Sequence, residues 1–364
     1  MAEPVVDEAP FGSYRAVVAT GRHLLAAELS QRLGRQGAAV QLVPRDSSPG
    51  GFHWGIWYTA AAQVARLAAD DRVDAVGWVG AGALALLADE AVDELLSPVA
   101  GEAVANNRFS SDAFVVAGDL DAAVTALAGL GADNGAPRAL EAAGFTIRDV
   151  SAAPWSRFDV DTPHDLALLR LARRVPGTRS LDPAIAGFLE GAQLPGGRPL
   201  AIPRLEEVLA VLRNRNAELV VAGRVPSSAF AYLEDQAACR IRLFVEERGM
   251  RAAPANEPRS LLADWVTQNG AASLVERLAT LGDAVILDTR VVMAALAGSS
   301  DAEAWPPPEE RFASDFLDPA PIQTPWLREL TDAAVAASVP FILGGHTLVS
   351  DGLRILTDAA WLGR

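Results

Sequence analysis

The chain of 364 residues has no lysine, a single cysteine and no apolar run near the roughly 20 residues that a membrane-spanning helix needs. Each absence excludes something. Cys239 alone cannot form an intramolecular disulfide or a cysteine-based zinc site, and in "DQAACRIRLF" it reads as core filler in a reducing compartment. Without lysine, every fixed positive charge is an arginine. A bound phosphate must then be held by guanidinium forks, backbone N–H groups or a metal. Acidic residues outnumber basic ones by 46 to 31, for a net charge of −15, which argues against a broad footprint for nucleic acid or a membrane surface. The opening "MAEPVVDEAPFGSY" lacks the basic and apolar regions of a signal or transit peptide, so the expected location is cytoplasmic.

What is present is an apolar half of the composition and an alternation of strand-like and helix-like segments. "YRAVVATG" reads as a buried strand, "HLLAAELSQRLGRQG" as an amphipathic helix closed by glycine, and "AAVQLVPR" as the next strand. A loop rich in serine and glycine, a helix from His53 to Asp70 and the strand "VDAVGWVG" follow. A helix through "LALLADEAVDELL" leads to the strands "EAVAN", "DAFVVAG" and "RFDVD", then to a helix from Pro163 to about Arg174. This order predicts a doubly wound, mostly parallel α/β sheet with right-handed crossovers. The Pro- and Gly-rich residues 176–204 are expected to link a first domain, residues 1–175, to a second α/β domain, residues 205–364. In the second, "AELVVAG", "RIRLFVEE", "DAVILD" and "VPFILGG" read as strands. "SSDAEAWPPPEER" reads as a polar loop whose Trp305 is a packing plug or a lid residue.

The stretch "RFDVDTPHDLALL", residues 157–169, concentrates the chemistry of the first half. Thr162, Pro163 and Asp165 form a helix start: the hydroxyl caps, proline presets φ, and the acid lies near the positive helix end. Asp159 and Asp161 are left over. Alternation puts both on one face at the C-terminal end of a strand, where open α/β sheets bind ligands and where one or two carboxylates can share a cation with phosphate.

The segment "DVDTPHDLALL" resembles the closing motif of nucleotidyltransferases of the type that includes molybdenum-cofactor guanylyltransferase and phospholactate guanylyltransferase, which adopt the GT-A fold. The segments "AVVATG", "VGAGALALL", "ANNRFSSDAFVVAG" and "ADNGAPRAL" agree with it in order, over residues 14–175. The resemblance implies an Mg2+ ion bridging two aspartates and the nucleotide phosphates, attack of an acceptor on the α-phosphorus, and departure of pyrophosphate. It assigns Asp161 to the later metal position, with Asp159 beside it as a catalytic candidate. The earlier metal position falls in a turn that reads Gly80-Ala81-Gly82-Ala83, without a carboxylate. Asp112 and Asp133 are candidates to replace it. Gly21 and Arg22 stand where the family's phosphate loop lies, and Asn106, Asn107, Ser110 and Asp112 offer donors and acceptors for a sugar or a base edge. His53 and Trp54 start the expected helix as capping, core or ligand-facing residues.

In the second half, four strand ends carry polar residues. Ser227 and Ser228 at a helix start could cradle an anion, Arg224 and Arg290 could clamp it, and His346 could move a proton. Asp288 would orient an arginine or His346, and Gly344 and Gly345 would give backbone access. The alternative is a buried ion-pair network that tightens the sheet edge. The favoured reading is thus a nucleotidyltransferase whose partners are a nucleoside triphosphate or nucleotide-sugar and a small-molecule acceptor, with a homo-oligomer compatible with it. A non-catalytic nucleotide-binding scaffold and an enzyme with its active site in the C-terminal domain are the rivals.

Overall fold

The computed structural model describes residues 12–40, 42, 73–128, 130, 133–247 and 257–363. The first element departs from expectation. Residues Tyr14–Arg35 form one helix of 22 residues in place of a strand followed by a helix. A short apolar run such as "AVVA" fits either element, and here the wider spacing decides. Tyr14, Val17, Gly21, Leu25, Leu29 and Leu33 recur on one face at three- or four-residue intervals and are buried. The helix start is also fixed from outside. Ser13 Oγ accepts the Ala16 N–H at 3.1 Å, and the Glu309 carboxylate accepts the Tyr14 and Arg15 N–H groups at 2.9 Å each. Residues 38–40 carry no strand. The expected helix over 53–70, with His53 and Trp54, lies outside the described residues.

The first sheet contains β1 (Ala75–Val79), β2 (Glu102–Ala105), β3 (Ala113–Ala117) and β4 (Thr146–Asp149) in the order β1-β3-β2-β4. It is mixed: β3 runs antiparallel to both neighbours, and only β2 and β4 are parallel. The short connection from β2 to β3 explains the reversal, because a parallel crossover needs about a dozen residues and a hairpin does not. "RFDVD" is not a strand. Phe158 and Val160 are buried, yet the Val160 N–H donates to Gly82 O at 3.2 Å with no ladder beside it.

The two-residue strands β5 (Gln193–Leu194) and β6 (Arg198–Pro199) pair as a ribbon. The second sheet then holds β7 (Glu218–Gly223), β8 (Arg240–Val245), β9 (Ala284–Asp288) and β10 (Phe341–Gly344) in the order β10-β9-β7-β8, all parallel as expected. Its central faces are both buried, which suits the near-continuous apolar strands of a parallel sheet. Leu219, Val221, Ala284, Ile286 and Ile342 face one core, while Val220, Ala222, Val285, Leu287, Phe341 and Leu343 face the other.

The first of those cores crosses the expected domain boundary. It joins Val17, Leu25, Leu166, Leu168 and Leu169 to Leu219, Ile286, Ile342 and Leu356. The stretch 176–204, expected as a linker, carries the helix Pro183–Gly191 and buries Ile185, Leu189, Leu194, Leu200 and Ile202 in that core. Proline and glycine here shape turns between packed elements. Trp305 is the plug of the two expected roles: it is buried, its Nε1 donates to Ser299 O at 2.8 Å, and Arg311 lies over its ring. The loop around it continues into a helix, Pro308–Asp315.

Candidate functional site

The helix Pro163–Ala172 starts as its residues predict. Thr162 Oγ1 accepts the Asp165 N–H at 3.2 Å, and Asp165 Oδ2 accepts the Thr162 and Asp161 N–H groups at 2.8 and 3.0 Å, closing a capping box. This cap fixes the backbone of the preceding residues. Asp161 stands exposed and pairs with Arg22 of the first helix at 3.0 Å. Asp159 is half-buried, its Oδ1 accepting the Val160 N–H at 2.9 Å.

The turn after β1 closes on the same place. A Cβ at Gly82 would lie 2.4 Å from Val160 O and 2.6 Å from Asp159 Oδ1, so only glycine permits this approach. The Gly80 N–H donates to Asp112 O at 2.8 Å, which brings Asp112 alongside. Two arginines hold the segment that follows the turn. Arg32, 2% exposed, donates to Leu84 O at 3.1 Å and to Leu87 O, and Arg179 donates to Ala85 O at 2.8 Å. Asp159 sits among like charges. Burial first, then the charges of Asp161 and Asp112, push its carboxyl well above the usual carboxylate range, with Arg22 opposing. Asp165 is pushed up to about 7 by burial and by Asp161.

Mg2+ takes oxygen ligands and is typically held by one or two carboxylates together with phosphates. Asp159 and Asp161 are donors of the right type. Among the described residues, however, no three His, Cys, Asp or Glu side chains converge as a metal-holding group, so ligand oxygens must complete such a shell.

Other expected ligand contacts are internal. Gly21 is buried against Leu166, where a Cβ would meet the leucine methyls at 2.7 Å, so it serves a close helix crossing and not a phosphate. The reason is the helix itself, which stands where the resemblance implies a phosphate loop. Asn106 is buried and fully engaged. Its Oδ1 accepts the Asp112 and Ala113 N–H groups at 2.9 and 3.0 Å, and its Nδ2 donates to Ser156 O at 3.0 Å. Asn107 Oδ1 accepts the Phe109 N–H at 3.1 Å in a turn, and Asn134 Nδ2 bridges Ser110 Oγ and Asp112 Oδ1 at 3.3 and 3.4 Å. Asp133 starts a 3-10 turn near this bridge.

At the second sheet, strand order reverses between β7 and β9, the place where open parallel sheets form their crevice. The expected residues gather there, but most are sealed. Asp288 is fully buried. Its Oδ1 accepts the Arg290 N–H at 3.0 Å and its Oδ2 the Arg224 N–H at 3.4 Å. Gly223, at φ 135°, must be glycine, since a Cβ would lie 2.3 Å from that of Asp288. Arg290 is 4% exposed and bound bidentately to Asp315 at 2.6 Å for each arm. It is therefore not an open clamp for an anion, because its fork is already filled by a buried carboxylate. His346 Nδ1 contacts Arg224 O at 3.2 Å, and Ser228 Oγ accepts from Arg157 at 3.2 Å beside exposed Ser227. Gly344 lies against Leu348, and Gly345 faces Arg290.

The two candidate sites are neighbours. Thr347 Oγ1 donates to Asp159 O at 2.9 Å, the Arg157 N–H donates to Asp351 at 3.2 Å, and His164 lies beside Gly344. The segment 157–165 thus lies between the turn after β1 and the rim of the second sheet. Three residues here escaped sequence reasoning: Asp315, Arg32 and His164. His164 is fully buried, neither ring nitrogen has a hydrogen-bond partner, and burial followed by the charge of Arg290 lowers its pKa to about 3. "PHDLALL" shows a polar residue inside an apolar run, but nothing in it names the neighbours.

No helix among the described residues is long and apolar enough to cross a membrane. No protein-family model, curated protein or solved structure matches the chain.

Proposed function

We propose that the chain is a nucleotidyltransferase-like protein, its first sheet part of a GT-A-like domain, that binds a nucleoside triphosphate or nucleotide-sugar with Mg2+ at Asp159 and Asp161. One observation carries this reading. The glycine turn at 80–83, which the resemblance assigns to the metal site, is seated directly on Asp159 and Val160, with Asp112 and Asp161 beside it. Residues far apart in the chain thus meet, and this meeting supports the reading. A cation there would relieve the crowding of negative charge that holds the Asp159 proton. Asp161 would be the metal ligand, Asp159 its partner, and Arg22 the counter-ion that the ligand's phosphates take over.

The experiment is a thermal-shift series on the full chain with ATP, GTP, CTP and UTP, each with and without Mg2+, joined to a pyrophosphate-release assay with candidate phosphorylated acceptors. A nucleotide at a hundredfold excess over its Kd should stabilise by about 2.7 kcal/mol, only with Mg2+, and Asp161→Asn should abolish the effect. Stabilisation that ignores both Mg2+ and the substitution would refute the reading. The rival scaffold reading is favoured by the helix that stands in place of a phosphate loop and by the Arg22–Asp161 pair. It predicts nucleotide binding that ignores Mg2+ and releases no pyrophosphate. The enclosed Arg290 removes the main support for an active site in the C-terminal part.

A further inference from the structure

Phe109 is the most exposed aromatic side chain among the described residues, at 69%, against 41% for Trp361. It stands at the tip of the connection between β2 and β3. A single exposed apolar residue needs no explanation by its exposure alone; what matters is how its backbone is held and where. This loop is tied throughout. Asn106 fastens its far end through the Asp112 and Ala113 N–H groups and anchors it to Ser156, and the Asn106 N–H donates to Ala113 O at 2.9 Å. The Phe109 N–H is itself fixed on Asn107 Oδ1, Arg108 pairs with Glu141, and Asn134 holds Ser110 and Asp112 on the other side. The ring is therefore presented on a set backbone, three residues from the acid whose carbonyl accepts the Gly80 N–H, in the turn whose Gly82 abuts Asp159.

We infer that Phe109 is a stacking platform for the planar heteroaromatic ring of the ligand whose phosphates lie at Asp159 and Asp161. The inference rests on the nucleotide reading and assigns the base to this residue. A phenyl face has no hydrogen-bonding edge, so it adds affinity for any base and little choice among bases. Leaving such a ring in water gains nothing for the free protein; covering it with a base removes apolar surface from both partners.

The test measures binding of each nucleoside triphosphate and of inorganic tripolyphosphate, all with Mg2+, to the full chain and to Phe109→Ala and Phe109→Trp, by calorimetry. The side chain is exposed, so both variants should unfold at the wild-type temperature. Base stacking predicts that Phe109→Ala weakens nucleoside triphosphates roughly five- to a hundredfold and leaves tripolyphosphate unchanged, while Phe109→Trp keeps nucleotide affinity. Equal effects on nucleotide and tripolyphosphate, or none on either, would overturn the stacking role and leave the nucleotide reading standing. Failure of the wild type to bind either compound would overturn both.

Discussion

His164 and Asp165 are adjacent, buried and shifted in opposite directions, and together they predict a pH response that neither would give alone. Burial holds His164 neutral down to about pH 3, against an ordinary value of 6.5, and holds Asp165 protonated up to about pH 7, against 3.8. For the histidine, the folded state binds its proton more weakly than the unfolded state does. Its contribution is complete above pH 6.5 and is lost as pH falls toward 3. For the aspartate the folded state binds its proton more tightly. Its contribution is complete below pH 3.8 and is lost as pH rises through about 7. Between these limits folding moves a proton in effect from one side chain to its neighbour, with no net uptake.

Each group alone changes stability by about 1.4 kcal/mol per pH unit, so from about pH 4 to 6 the two contributions are on the order of 3 kcal/mol each and of opposite sign. Removing one exposes the other. Urea unfolding at half-unit steps from about pH 4 to 7 should show Asp165→Asn gaining stability with rising pH relative to the wild type, by about 3 kcal/mol over two units. His164→Phe should lose about the same amount over the same range. Differences between variants cancel the titration of groups that interact with neither side chain. The His164 variant should also be more stable than the wild type at pH 7 by about 1–3 kcal/mol, since two unpartnered ring nitrogens leave the interior. Parallel stability-versus-pH curves for the three proteins would refute the reasoning, and would mean that water reaches both groups.

Two further predictions concern the buried frame of the site. Arg290→Met leaves Asp315 charged and unpaired in the core and should cost about 3–5 kcal/mol in urea unfolding, whereas Arg290→Met with Asp315→Leu should recover most of that loss; an additive double variant would refute the pairing. Gly82→Ala forces a methyl against Val160 O and Asp159 Oδ1 and should cost about 1–3 kcal/mol, with the shift of the 157–161 backbone visible in the amide spectrum; a neutral outcome would show that the turn is not seated there.

Elements with a local pattern were legible in the sequence, and short apolar runs without one were misleading. Three of the four parallel strands of the second sheet, β7, β9 and β10, are nearly continuous apolar runs between turn residues, while the edge strand β8 interleaves Arg240 and Arg242 with apolar residues, and all four could be read directly. The first helix could not be read in that way, because "AVVA" is ambiguous and the helix start depends on Glu309, far along the chain. The reversal of β3 follows from the shortness of its connection to β2, which no crossover helix could span.

The site divides along the same line. The capping box at Thr162 and Asp165 is a four-residue pattern and is legible as it stands. The partners of Arg290 and Asp159 are set by tertiary contact, which no spacing reports: Asp315 belongs to a helix that continues an expected loop, and Thr347 reaches Asp159 from near the far end of the chain. Burial separates two arginines that look alike in sequence as phosphate or anion contacts. Arg290 is enclosed with its carboxylate and is part of the frame, while Arg22 keeps about a third of its side chain in water and holds an aspartate that is itself mostly exposed. An exposed pair of that kind is worth little to the fold, so exchanging Asp161 for a phosphate would cost Arg22 little. That difference in burial, more than any motif, favours a ligand at Asp159 and Asp161 over one at the rim of the second sheet.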